Sequence, residues 1–75
     1  MDRTTKRKNF ERIAVSRTEK VLDLLDLIGN LSNTSFYEYS ERDVENIFNT
    51  IEKAVKENKE KFYKKDKKVK RRFTL

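Results

Sequence analysis

The chain has 75 residues, of which 43% are charged and 35% hydrophobic, and a formal net charge of +6. It contains no cysteine, histidine, tryptophan or proline, and a single glycine. That composition excludes disulfides and thiolate chemistry, removes the usual general base, and leaves a zinc site without its customary ligands. One domain of this size buries little surface, so a second subunit is the remaining route to stability and a homodimer is expected.

The charge is unevenly placed. Residues 1–12 hold five basic and two acidic residues, residues 13–55 four basic and eight acidic, and residues 56–75 ten basic and three acidic. An acidic body with basic ends is the asymmetry of arms that grip a polyanion. No window approaches the roughly 20 apolar residues that span a bilayer. The basic N-terminus is not followed by an uninterrupted apolar run, so it does not read as a secretory signal. A cytoplasmic setting is expected, which suits the absence of cysteine. Asn30-Leu31-Ser32 and Asn33-Thr34-Ser35 match the glycosylation acceptor pattern but in that setting read as turn chemistry.

In chain order, residues 1–8 carry no apolar side chain after Met1 and are expected to form a flexible basic arm. A first helix is expected over residues 9–28. Phe10, Ala14, Arg17, Val21, Leu24, Ile28 and Leu31 recur alternately four and three apart, with Arg17 the one break in an apolar seam. Ile13, Leu22, Leu25 and Leu27 widen that face, so the helix should touch more than one neighbour. Asn9 and Ser16, the latter in a Ser16-x-x-Glu19 capping box, compete as the helix start. Asn9 is preferred because Phe10 to Val15 already follow the period.

The joint, residues 29–40, organises the chain. Gly29 is placed to end the first helix in the left-handed conformation. Asn30 to Ser35 favour turns through side-chain bonds to nearby backbone. Ser40 then reads as an N-cap, Asp43 as its partner at N3, and Tyr39 with Val44 as a hydrophobic staple. Phe36, Tyr37 and Tyr39 are expected to fold back onto the helices, because about 11 residues is long for a connection between bundled helices.

The second helix should run from Glu41 to at least Phe62. Val44, Ile47, Phe48, Ile51, Ala54, Val55, Asn58 and Phe62 form its stripe. Glu52-Lys56, Glu57-Lys61 and Glu60-Lys64 are i,i+4 pairs in the favourable order. Residues 63–75 are either a basic tail or an extension of this helix, since Val69 and Phe73 continue the stripe weakly. The fold expected is all-α: a two-helix hairpin over residues 9–62 with a long aromatic connecting loop. Two such hairpins would dimerise into a four-helix bundle, with a coiled-coil dimer as the alternative.

Four features could carry function. Glu19, Asp23, Asp26 and Asn30 share one face of the first helix and could bind a hard divalent cation; the same spacing is also that of a solvated polar face. Arg17 could reach a ligand across a dimer interface, or lift its head to water and set the register. Val21, Leu24, Leu25 and Ile28 are the expected protein interface, together with Tyr37 in the aromatic loop. Lys6, Arg7 and Lys8 at one end, and Lys64, Lys65, Lys67, Lys68, Lys70, Arg71 and Arg72 at the other, can replace counterions on phosphates, with Phe73 able to stack on an unpaired base. A membrane surface is not the expected partner, because the apolar residues of the second helix are committed to a core. No catalytic residue, metal or cofactor is assigned.

The chain also resembles a family of small hypothetical proteins of Gram-positive bacteria, often encoded near plasmid, phage or transposon genes. The likeness lies in Phe10-Glu11-Arg12-Ile13-Ala14, Arg17-Thr18-Glu19-Lys20, Leu27-Ile28-Gly29-Asn30-Leu31-Ser32-Asn33, Tyr37-Glu38-Tyr39, Asp43-Val44-Glu45-Asn46-Ile47-Phe48 and the terminal Arg72-Phe73-Thr74-Leu75. It implies a bacterial cytoplasmic setting and a mobile-element role, and carries no activity or functional residue with it. The expected function is that of a non-enzymatic accessory protein binding DNA or RNA through its basic termini. The alternative is a protein-interaction module, adaptor or inhibitor, meeting a host or mobile-element protein through the Tyr37 loop or the acidic face of the first helix.

Overall fold

Capping and charge, not burial, start the first helix. In the computed structural model, which describes the backbone of residues 2–74 and the side chains of residues 2–63, helix α1 spans Arg3–Gly29. Asp2 is its N-cap, with extended backbone, and its carboxylate accepts the Thr5 N–H at 2.8 Å. One turn on, the Arg7 guanidinium donates to Glu11 at 2.7 Å and lies 5.5 Å from the centre of the Phe10 ring. The expected arm over residues 1–8 is therefore corrected: residues 3–8 are the first two turns of α1. Asn9 is inside the helix, and the competing start at Ser16 falls away as well. An Asp cap and an i,i+4 pair hold a segment that has no apolar residue to bury.

Gly29 does not adopt the left-handed conformation. Its φ and ψ are −59° and −32°, and among the described residues no glycine or other residue has positive φ. The chain instead tightens into a 3-10 turn, Asn30–Ser32, and the Asn30 N–H still donates to the Asp26 carbonyl. A further turn follows at Asn33. Its backbone carbonyl accepts from Phe36 and Tyr37, and its side-chain oxygen accepts the Ser35 N–H at 3.0 Å. Asn and Ser side chains that bond nearby backbone are the physical cause of this turn, as expected from residues 30–35.

Helix α2 spans Glu41–Thr74. Ser40 and Asp43 cap it reciprocally: the Asp43 N–H donates to Ser40 Oγ at 3.1 Å, and the Ser40 N–H to Asp43 Oδ2 at 2.9 Å. Glu41 and Asp43 also place negative charge in the first turn, where the helix dipole is positive. No proline interrupts the helix, and its backbone continues through the Lys-rich segment, so residues 64–74 extend α2.

The described residues are all-helical apart from the joint and fall into two units, Met1–Glu38 and Tyr39–Leu75. None of those whose side chains are described is buried. In the first unit, Ala14, Leu25 and Ile28 are half-buried while Leu24 and Leu27 remain 60% and 61% exposed. In the second, Val44, Ile47, Phe48 and Ile51 are the better shielded part of the stripe, and Phe62 the more exposed.

Candidate functional site

The N-terminal cations stand on a helix, at a rise of about 1.5 Å per residue, rather than on a mobile strand. Lys6, Arg7 and Lys8 are all exposed, but they are not equivalent. Arg7 is engaged by Glu11 and by the Phe10 ring. An exposed ion pair of this kind contributes about 0.2–1 kcal/mol, and the cation–π contact about as much again. Phosphate must compete with both, so Lys6 and Lys8 are the more available groups. The sequence signal for this was the Arg7-x-x-x-Glu11 spacing.

At the other end, the backbone of Lys64, Lys65, Lys67, Lys68, Lys70, Arg71, Arg72 and Phe73 belongs to α2; their side chains lie outside the described residues. Just before them, Lys61 turns to Asn58. Its ammonium donates to Asn58 Oδ1 at 3.0 Å instead of meeting Glu57, while Asn58 Nδ2 donates to the Ala54 carbonyl at 2.8 Å. Thr50 bonds back to the Asn46 carbonyl in the same way. These local bonds satisfy polar groups along α2 without a second element.

The expected protein interface is a set of exposed and half-buried apolar side chains. Val21, Leu24, Leu25 and Ile28 stand at i, i+3, i+4 and i+7 and share a face of α1. Val21 and Leu24 are exposed, Leu25 and Ile28 half-buried. Tyr37 is 49% exposed, and its ring centre lies 6.5 Å from that of Phe36. Phe36 is 79% exposed, and its backbone N–H donates to the Asn33 carbonyl.

The acidic face of α1 is present as spaced, with Glu19, Asp23 and Asp26 exposed. Among the described residues, no group of three or more carboxylates is placed to hold a metal ion. No basic residue lies in the last turn of α1 to balance its dipole. Arg17, in the seam, is exposed. Among the described residues, no helix is long and apolar enough to cross a membrane.

One carboxylate departs clearly from its ordinary behaviour. The Thr5 backbone N–H, then the Thr5 side chain, hold the Asp2 carboxyl below the usual aspartate range. Asp2 is the N-terminal counterpart of the Ser40 and Asp43 cap that reasoning from the sequence missed. Its signal was an Asp followed three residues later by the helix's first free N–H. Comparison of the chain with protein-family models, with curated proteins and with solved structures finds no match.

Proposed function

We propose that the protein is a small non-enzymatic accessory protein of the bacterial cytoplasm that binds nucleic acid through its basic ends. Its two helices pair as an antiparallel hairpin, and two copies associate into a four-helix bundle that covers the wide apolar face of α1. The observation that carries the nucleic-acid reading is the joint placement of charge and helix. Both basic ends, residues 3–12 and 56–74, lie on continuous helix, while most of the acidic residues lie between them. Helical cations pay less ordering entropy on a polyanion than the same cations on a free arm. Each phosphate neutralised releases counterions, a term that needs no base sequence.

A gel-shift titration at two salt concentrations tests this reading. Affinity should fall steeply with salt, with a log–log slope near −0.9 per phosphate neutralised on duplex or about −0.7 on single strands. Replacing Lys64, Lys67, Lys68 and Arg71 together by Gln should remove most of that slope and leave helicity unchanged. Equal binding by both proteins, or binding by neither, would overturn it.

The second reading, a protein-interaction module, is favoured by the aromatic turn, where Phe36 and Tyr37 stand exposed side by side. Such a module would bind its partner at physiological salt and lose it on Tyr37→Ala, with the lysine substitutions silent.

A further inference from the structure

We infer that the second copy lies against α2, and that the two α2 helices run antiparallel, crossing near Lys53. This rests on the dimer proposed above and names which helix meets which, and in what direction.

The first argument is the seam. Val44, Phe48, Ile51, Val55, Asn58 and Phe62 alternate four and three apart, the spacing by which two helices interlock side chains. Outside that stripe and its flanking Ile47 and Ala54, the first 22 residues of α2 are almost wholly polar. The stripe is therefore one-sided and continuous, and within its own unit nothing covers it: no residue on it is buried.

Charge complementarity decides the direction. Residues 41–52 hold four acidic residues and one basic, whereas residues 53–63 hold four basic and two acidic. Two parallel α2 helices would set acidic against acidic and basic against basic. Antiparallel helices set each acidic half beside a basic one, and the arrangement closes as a two-fold pair in which both copies use the same patch. With the crossing at Lys53, Val44 meets the second copy's Phe62, Phe48 its Asn58, and Ile51 its Val55. Glu45 comes level with the second copy's Lys61. Ala54 lies one residue from the crossing, where a small side chain lets the helices approach.

Asn58 is the polar member of this seam. Its amide donates to Ala54 and accepts from Lys61 within its own chain. It can thus enter the seam with its polar atoms already partnered, avoiding the cost of a buried orphan.

Because the chain lacks cysteine, single spin labels on the full-length protein test this directly. Glu45→Cys, Lys53→Cys and Lys61→Cys change exposed side chains, so circular dichroism should show unchanged helicity. Pulsed electron resonance then reads the distance between copies. The antiparallel pair predicts a minimum at residue 53. Residues 45 and 61 each lie eight residues from the crossing, so their labels are offset along the axis by about 24 Å. Equal short distances at all three sites would mean a parallel pair and would overturn the inference. Long distances at all three, in a protein that light scattering finds dimeric, would place the second copy elsewhere and overturn it while leaving the dimer standing. A monomer by light scattering would overturn the dimer reading and the inference with it.

Discussion

Helices α1 and α2 use their apolar residues in opposite ways. In α1 the seam from Phe10 to Ile28 is flanked by Ile13, Val15, Leu22, Leu25 and Leu27, so apolar surface wraps much of the circumference. In α2 it is confined to one stripe, with charge around the rest. A helix that is apolar on many sides needs neighbours on many sides, and a one-sided helix needs cover on one. The two also begin differently. The start of α1 rests on a single Asp cap and an exposed ion pair, that of α2 on a reciprocal capping box. The chain thus places its greatest demand for burial on the helix with the weaker end.

The sharpest way to break this contrast is to shorten apolar side chains on different sides of each helix. In an assembly that covers them, Leu24→Ala in the seam of α1 and Leu27→Ala on its flank should each cost about 2–5 kcal/mol. On α2, Ile51→Ala should cost a similar amount, while Lys53→Ala should stay within about 0.5 kcal/mol. Urea unfolding read by circular dichroism measures all four. A silent Leu27→Ala would mean that α1 is covered on one side only.

The caps give the next effect. Ser40→Ala should cost about 0.5–2 kcal/mol, because it leaves the Asp43 N–H without its acceptor. Asp43→Ala should remove the reciprocal bond to the Ser40 N–H, and the two losses should not add, since each bond holds the other's geometry. Additive losses would show two independent bonds rather than a coupled box.

Gly29 reverses an expectation and so sharpens the picture of how α1 ends. Its backbone is right-handed helical, and an added Cβ would meet nothing within 4 Å. Gly29→Ala should therefore stabilise the protein by about 0.4–1 kcal/mol, through helix propensity and a less flexible unfolded chain. Even Gly29→Val should show no strain penalty. A loss on Gly29→Ala would mean that the residue is left-handed in solution.

The smallest expected effect is at Asp2. Its folded-state carboxyl titrates below the ordinary value of about 3.9. The cap's contribution is thus fully present above about pH 4 and is lost as pH falls through the lowered folded value. Amide exchange at Thr5 and Lys6 should speed up over that window while amides near Leu22 stay protected. Asp2→Asn, which still caps, should abolish the acid step.

What could be read from the sequence follows the range of the forces involved. The Ser40–Asp43 box, the Asn33 turn and the α2 stripe are local patterns, and each is found where its spacing puts it. The start of α1 was missed because periodicity of apolar residues cannot register a segment that has none. Gly29 misled because its permissiveness allows a left-handed end without requiring one; Asn33, four residues on, turns the chain instead. The basic ends were legible as charge and the Arg7–Glu11 pair as an i,i+4 spacing, but the contact of Arg7 with the Phe10 ring was visible only as geometry.

The central claim is that a second copy covers the apolar faces that each chain leaves open. Sedimentation equilibrium at micromolar concentration tests it most directly. The account predicts a helical particle of twice the 9.1 kDa chain mass that dissociates, with loss of helicity, on dilution or on Leu24→Ala. A particle of single-chain mass that keeps its full helicity across the same range would contradict it.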